Sequence, residues 1–251
     1  MNINLQQQNF KEIQQRMVAV PGWEILESNG ILALKSPVAT PLNHMVWGEL
    51  NNENLSKVIH FYEGQEFFWL LTPLQARSIP DSLKAMFAPQ DEASIFPEMT
   101  FDLSAYHGHD RPKHITVFTP KSEPELQVWT DTAIETLKID ENDFKAFFYP
   151  SIHIGQCIPL LQLYNNEPAG TAMVYCGHSE AGIYAMSTRE KFRRKGIGSV
   201  GVYSCLEIAK QKSLKQAVLY ASVMGTHLYK DLGFKAVSLW HEFHYKDKQQ
   251  K

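Results

Sequence analysis

The chain has 251 residues, of which 44% are hydrophobic and 20% are charged, and its formal net charge is −3. A chain of this length can bury a substantial core in one large or two small domains. The small net charge excludes a whole-chain electrostatic signal for nucleic acid or for a membrane surface. No run of about 18 apolar residues occurs, and the N-terminus has no apolar signal-peptide core, so we expect a cytoplasmic protein without a membrane partner.

Three cysteines, Cys157, Cys176 and Cys205, are odd in number and far apart. They lack the close C-x-x-C spacing of a metal site. We therefore expect reduced thiols, as in a cytosolic protein, and no bound metal.

The first half of the chain alternates predicted helices and strands, which is typical of an α/β layer arrangement. His44 is considered as a catalytic base, but a lone histidine is more often structural. The predicted helices cover residues 4–20, 51–62 and 78–87, and the predicted strands cover 23–26, 31–34, 66–71 and 99–103.

A polar segment, residues 106–113, is the predicted linker between two units of 1–110 and 113–246. It contains or adjoins His107, His109 and His114. Metal ligation by these histidines is one interpretation, but no carboxylate or thiol spacing supports it, and a solvated linker is simpler.

The second half begins with a strand, two helices and a hairpin, followed by a further strand and a long helix. A buried strand, a short helix closed by Gly233 and a final strand complete the order. The predicted ranges are 115–118, 122–137, 141–148 (ended by Pro150), 156–164, 169–175, 182–186, 200–212, 216–221, 225–232 and 234–245.

A basic segment, residues 187–195, lies between the strand 182–186 and the helix 200–212. Gly196 and Gly198 follow it at the helix start. Glycines let an anion approach the main chain, and N–H groups at a helix start lack intrahelical partners, so this pattern suits a phosphate. Residues 1–110 hold 6 Lys and Arg against 13 Asp and Glu, whereas residues 111–251 hold 18 against 14, so the basic excess accompanies the glycines. A solvated turn before an ordinary helix is the alternative interpretation.

The spacing Arg193-x-x-Gly196-x-Gly198 resembles the acyl-CoA pyrophosphate loop of the GNAT superfamily of N-acetyltransferases. About thirty residues later, Leu228-Tyr229-Lys230-Asp231-Leu232-Gly233-Phe234 matches the L-Y-x-x-L-G-F signature of the same family. The two motifs, with the order of elements around them, extend the resemblance over residues 113–246. It implies a mixed α/β sheet with a GNAT fold in the second half. Looser cues at Asn43-His44, Phe68-Trp69 and Pro97-Glu98-Met99 suggest a smaller, degenerate GNAT-like unit in the first half.

The resemblance implies acetyl-CoA as co-substrate and a primary amine, on a small molecule or a peptide, as acceptor. Tyr229 matches the general acid of the family, and a main-chain N–H near Met186 is the expected donor to the oxyanion. Gly201 is expected to let the helix pack closely on the sheet, or to be merely tolerated there. The implied cofactor-binding residues are Met186, Ser187, Thr188, Arg193, Arg194, Lys195, Gly196, Ile197, Gly198, Ser199 and Ser222.

The general base is not identified, because residues 181–187 contain no carboxylate where many family members have a glutamate. Glu180, His178, His227 and His241 are alternatives, as is a chain of waters. Two further functions therefore stay open: an acetyl-CoA-binding regulatory module without turnover, and a nucleotide-binding protein of another class. The second of these lacks both a P-loop motif and the third glycine of a dinucleotide fingerprint.

Overall fold

A computed structural model of the protein describes residues 12, 22–37, 44–91, 94–153 and 157–246. Except for Glu12, the predicted helix 4–20 lies outside these residues, as does Asn43. The described residues form one mixed sheet of eleven strands with seven helices, and the fold is the predicted α/β class. The strands are β1 (Glu24–Ser28), β2 (Ile31–Lys35), β3 (Met45–Trp47), β4 (Phe67–Leu71), β5 (Ile95–Asp102), β6 (Ile115–Phe118), β7 (Cys157–Tyr164), β8 (Glu167–Cys176), β9 (Glu180–Thr188), β10 (Gln216–Tyr220) and β11 (Lys235–Tyr245). The helices are α1 (Asn52–Phe61), α2 (Pro73–Ser78), α3 (Asp81–Lys84), α4 (Glu123–Leu137), α5 (Glu141–His153), α6 (Ile197–Gln211) and α7 (Thr226–Asp231).

Local sequence signals explain where several elements begin. Ser122 starts α4 through a capping box with Glu125, and Thr72 starts α2 through the same arrangement with Gln75. Each box satisfies two backbone groups that a helix start otherwise leaves unpaired. Asn165 and Asn166, with φ of 49° and 66°, form the tight turn between β7 and β8 that the sequence predicted.

The strand order is β1-β2-β3-β4-β11-β5-β10-β9-β8-β7-β6. β5, from the first half of the chain, lies between β10 and β11, and it pairs with both in antiparallel fashion. β11, from the end of the chain, lies between β4 and β5. The two predicted units therefore exchange strands within one continuous sheet. A local hydrophobic pattern identifies a strand but not its partner, so the sequence did not reveal this exchange.

Three sequence expectations differ from the structure. The predicted helix 78–87 contains only the last residue of α2 and the four residues of α3, because Pro80 disfavours helical backbone at Ile79. Pro150 lies inside α5 instead of ending it, and Tyr149 and Ile152 pack on the core and hold that last turn. The three-residue strand β3 was not predicted, since it is too short for a recognisable alternation.

Helices cover both faces of the second half of the sheet. Along β8, Met173 and Tyr175 face the core beneath α4 and α5, whereas Ala172 and Val174 face the core beneath α6 and α7. This alternation is the two-residue period of a strand buried on both sides. None of the described helices combines the length and apolarity needed to cross a lipid bilayer.

Candidate active site

The parallel strands β9 and β10 separate partway along their length. They pair only at Glu180, Ala181 and Gly182 of β9, opposite Gln216, Ala217 and Val218. β9 then continues to Thr188 and β10 to Tyr220 without pairing to each other. This opening leaves main-chain groups on both strands for an extended, amide-bearing ligand.

A β-bulge lies on β9 inside this opening. Ala185 and Met186 together oppose the single residue Ala172 of β8, and Ala185 has a φ of 47°. The Thr171 hydroxyl donates to the Ala185 carbonyl oxygen over 2.8 Å and holds the bulge in place. Because a bulge leaves a residue out of the ladder and bends the strand, it turns the main chain at Met186 away from β8.

A chain of hydroxyl groups fixes Ser187, which follows the bulge. The Ser187 hydroxyl lies 2.7 Å from that of Thr171 and accepts from that of Thr136 on α4 over 2.6 Å. Its side chain therefore lies on the α4 side of the sheet. Only the main chain of Ser187 is left to contact a ligand between β9 and β10.

The loop from β9 to α6 is anchored by Phe192 and then exposes its main chain. Phe192 packs in a buried cluster with Ile115 and Ile197. Arg194 has a φ of 61° and Gly196 a φ of 83°, so left-handed residues alternate with ordinary ones. The helix begins at Ile197, three residues earlier than predicted.

Six consecutive N–H groups, those of residues 194–199, have no hydrogen-bond acceptor in the part of the chain that the structure describes. Gly196 is the N-cap of α6 and offers no side-chain cap, and the first turn of α6 carries no acidic residue. A curved run of N–H groups at a helix start forms a concave site for an anion. We call residues 194–199 the amide nest.

The basic side chains around the amide nest are differently engaged. The Lys195 ammonium lies 4.8 Å from the Tyr164 ring centroid and 5.4 Å from that of Phe192. Arg189 is held by Glu135 at 2.7 Å and by the Pro168 carbonyl oxygen at 2.7 Å. Arg193 and Arg194 are exposed beside the nest.

Helix α7 packs against the first turn of α6, and it carries Tyr229. A Cβ added at Gly198 would lie 3.0 Å from the Leu228 side chain, so the two helices meet closely there. Tyr229 is 7% exposed, and burial raises the pKa of its hydroxyl well above the usual value near 10, so it stays protonated. The Ser222 hydroxyl accepts from the Gly225 N–H over 3.2 Å at the turn into α7.

Two of the predicted alternatives for the base, Glu180 and His178, lie away from the opening. Glu180 and His178 lie at the other end of β9, about 16 Å along the strand from the bulge. His44 is fully buried, stacks on Tyr62 at 4.6 Å, and its Nδ1 lies 3.0 Å from the Glu66 carbonyl oxygen, which is a structural environment. His227 is on α7 and His241 is on β11, where it pairs with Leu71 and Ile95.

The structure also places a buried carboxylate beside the end of β10, which the sequence did not suggest. Glu98 of β5 pairs with Tyr220, the last residue of β10, and is 1% exposed. Its Oε2 accepts a hydrogen bond of 3.0 Å from the Trp240 indole. The signal in the sequence was one carboxylate within the otherwise apolar run IFPEMTF, but its position depends on the strand exchange.

Residues 124–234 match the model of the acetyltransferase (GNAT) family. Solved structures with a similar fold include a GCN5-related N-acetyltransferase from Kribbella flavida (12% identity, 92% of this chain and 91% of that chain, TM-score 0.69). A functionally unknown conserved protein from Staphylococcus epidermidis is also similar (14% identity, 98% of each chain, TM-score 0.71). A tandem GNAT protein from the clavulanic acid biosynthesis pathway aligns over 97% of this chain and 95% of its own (10% identity, TM-score 0.60). No curated protein matches the sequence.

The fold and the family match place the protein in the general class of acyltransferases. Residues 124–234 match the GNAT family, as the two sequence motifs predicted, and the fold of the GNAT structures extends over most of the chain. The described residues contain no group of three metal-ligating side chains, and His109 instead stacks on Tyr203 at 4.5 Å.

Proposed function

We propose that the protein is an N-acetyltransferase that moves the acetyl group of acetyl-CoA to a primary amine by direct attack. The observation that carries this proposal is the amide nest, which lies at the start of α6 beside the opening between β9 and β10. A diphosphate fits the nest, and an extended arm with amide groups fits the opening.

In this proposal the pyrophosphate accepts hydrogen bonds from the nest, and Arg193 and Arg194 add positive charge to it. The pantetheine arm follows β9 along Met186, Ser187 and Thr188, with the main chain as its partner. The exposed Ser222 lies at the end of β10 and contacts the arm from the other side. The full set of proposed nest contacts is Arg194, Lys195, Gly196, Ile197, Gly198 and Ser199.

The chemistry requires three further groups. An alkylammonium with a pKa near 10 must lose a proton before its nitrogen can attack the thioester. A main-chain N–H at the bulge, near Met186, is the proposed donor to the oxyanion. Tyr229 is the proposed proton donor to the leaving thiolate, and its raised pKa keeps that proton available across the physiological range. The three buried free cysteines support a cytoplasmic setting for the enzyme.

A double charge reversal, Arg194→Glu and Lys195→Glu, tests the cofactor site by calorimetry with CoA. Because two positive charges beside the diphosphate become negative, we expect CoA affinity to fall by about 100-fold. The matched control is Lys57→Glu with Lys84→Glu, which makes the same charge change on α1 and α3. Equal CoA affinity in the two double variants contradicts the proposal.

Release of free thiol from acetyl-CoA across a panel of primary amines separates the enzyme from a regulatory module. The lack of a carboxylate in residues 181–187 of β9 is the observation that favours the module. An enzyme releases thiol with at least one amine, and Tyr229→Phe slows that release without weakening CoA binding. A module binds CoA with no thiol release for any amine.

A further inference from the structure

Most of the exposed large hydrophobic side chains lie on four neighbouring strands or on the segments that follow them. These strands are β4, β11, β5 and β10, which are consecutive in the sheet. Among the residues that the structure describes, seven large hydrophobic side chains are exposed, and only Val128 on α4 lies elsewhere. The other six are Leu74, Ile95, Val223, Met224, Val237 and Leu239. We call these six residues the apolar seam.

The centre of the apolar seam is formed by β5 and β11. Leu239 pairs with Pro97, and the neighbouring Trp240 packs in a buried cluster on the other face of the sheet. Because side chains alternate along a strand, Ile95, Pro97 and Met99 share one face of β5, and Leu239 lies on the same face. Met99 packs beneath α6 and α7. Ile95 and Leu239 lie beyond the end of that cover, since their side chains are exposed.

Helix α2 carries the apolar seam across β4. Leu74, in the first turn of α2, is 80% exposed. Arg77 lies one turn later, and burial together with the charge of Arg77 lowers the pKa of His241. His241 is two residues from Leu239 and on the same face of β11. Leu74 therefore lies on the part of α2 that is next to the centre of the seam.

The loop after β10 extends the apolar seam in the other direction. The Ala221 N–H donates to the Pro97 carbonyl oxygen over 2.9 Å, so this loop begins beside the centre of the seam. Val223 and Met224 follow in an exposed turn, and Met224 is 73% exposed. The seam thus ends in Leu74 on one side and in Met224 on the other.

The apolar seam has the size of a protein–protein contact. Its exposed side chains present roughly 500 Å² of aliphatic surface to water, which is in the upper part of the range for the largest patch on a monomer. Two proteins that associate stably each bury about 800 Å². The seam and its immediate polar surroundings supply such an area, and contact with a partner removes the aliphatic surface from water.

Charge and symmetry favour a second copy of this chain as the partner. The six side chains of the seam carry no charge, and the net charge of the chain is only −3, so two copies approach without strong repulsion. An acidic lipid surface or a nucleic acid instead recruits clustered Lys and Arg side chains. A two-fold axis through the centre of the seam places each end of one copy on the opposite end of the other, so one patch serves both sides of the contact.

We propose that the apolar seam is the contact surface of a two-fold dimer of this chain. In this dimer Leu74 packs against Met224 of the partner subunit, and Leu239 lies near the axis. The contact spans β5 and β11, the exchanged strands, so both halves of each chain take part in it. The inference goes beyond the proposed function and does not depend on it.

Sedimentation velocity tests the surface with the double variant Leu74→Glu and Met224→Glu. Both side chains are exposed in the single chain, so we expect the variant to keep the far-UV circular dichroism spectrum of the unmodified protein. At about 50 µM we expect the unmodified protein to sediment with twice the mass of one chain and the variant with the mass of one chain. The dissociation constant is expected to rise at least about 100-fold, because four carboxylates enter an apolar contact. Val128→Glu, the matched control on α4 outside the seam, is expected to stay dimeric.

Disulfide trapping tests the two-fold arrangement. Leu74→Cys and Met224→Cys proteins are mixed and oxidised, and the three native cysteines are buried. We expect at least about fivefold more covalent dimer in the mixture than in either variant alone, because a disulfide requires Cβ atoms about 4 Å apart. Leu74→Cys mixed with Val128→Cys is the control, and it is expected to give no more covalent dimer than the single variants.

Each part of the inference has its own contradicting result. An unmodified protein that is monomeric at about 50 µM overturns the dimer. A dimer that persists in Leu74→Glu with Met224→Glu, or that is lost in a folded Val128→Glu protein, shows that the seam is not its surface. Equal amounts of covalent dimer in the mixture and in the single variants contradict the two-fold arrangement. None of these measurements involves CoA, so their failure is distinct from a failure of the proposed function.

Discussion

The two halves of the chain contain the same supersecondary unit, in which a helix connects two parallel strands. In the first half, β3 and β4 are parallel and joined through α1. In the second half, β9 and β10 are parallel and joined through α6. The starts of α1 and α6 differ although both helices connect parallel strands in the same way. This difference shows what an anion site needs in addition to the fold.

The start of α1 is closed by its own side chains. Asn51 accepts from the Asn54 N–H over 2.9 Å, and Glu53 places a negative charge in the first turn. The start of α6 has a glycine N-cap, no acidic residue and the six N–H groups of the amide nest. A capped, acidic helix start repels an anion, whereas an uncapped one between basic residues attracts it. The first half thus has the architecture of the site without its chemistry.

The exchange of β5 and β11 gives the first half another role. It completes the sheet beside β10 and places Glu98 opposite Tyr220. The halves consequently differ in function but share one hydrophobic framework, and we expect them to unfold together.

The largest expected effect is on stability, from Gly48→Ala in the first half. A Cβ there would lie 2.2 Å from the Gly30 carbonyl oxygen, and the φ of Gly48 is 116°. We expect the free energy of unfolding to fall by about 3 kcal/mol or more in urea denaturation, in one transition. Gly30→Ala is the control: its φ is 76°, nothing lies within 4 Å, and about 1 kcal/mol is expected. Two separate transitions contradict the shared framework.

The next largest effect is expected from Ser199→Glu, a substitution that gives α6 the acidic first turn that α1 has. Ser199→Glu places a carboxylate among the amides of the nest, and we expect CoA affinity to fall by about 50-fold or more through charge repulsion. The free energy of unfolding is expected to rise by about 0.5 kcal/mol, because a negative charge favours a helix start. Ser199→Ala controls for loss of the hydroxyl. Unchanged CoA affinity in Ser199→Glu contradicts the difference that we draw between the helix starts.

The smallest effect is a pH dependence from Glu242 on the exchanged strand β11. Burial, with the nearby charge of Asp91, raises the pKa of Glu242 from 4.5 to about 7. The folded state therefore favours the protonated form, so stability is fully present below pH 4.5 and declines as the pH rises through 7. Glu242→Gln is expected to gain about 1–2 kcal/mol relative to the unmodified protein between pH 5 and pH 8, measured by urea denaturation at each pH. Glu24→Gln, an exposed control, is expected to show no such gain, and a gain of equal size there contradicts this explanation.

Features that depend on local sequence were predicted well. The Ser122 cap, the Asn165–Asn166 turn and Gly196 before α6 each require a particular residue type, so the sequence identified α4, the β7–β8 hairpin and the loop that leads into α6. Features that depend on distant partners were missed. The exchange of β5 and β11 and the position of Glu98 follow from pairing between residues more than a hundred positions apart. The bulge at Ala185 was also missed, because one extra residue leaves little trace in an apolar run.

The central claim is that the amides at residues 194–199 bind the diphosphate of CoA, and NMR tests it at single residues. Lys195-Gly196 is the only Lys-Gly pair in the sequence, and Trp47-Gly48 is the only Trp-Gly pair. Labelling lysine or tryptophan carbonyl carbons with ¹³C and glycine nitrogens with ¹⁵N therefore isolates the Gly196 or the Gly48 amide signal. On titration with CoA, we expect the Gly196 amide signal to shift strongly and the Gly48 amide signal, before α1, to stay in place. On titration with pantetheine, which has no phosphate, we expect the Gly196 signal to shift little. A Gly196 signal that does not respond to saturating CoA contradicts the account.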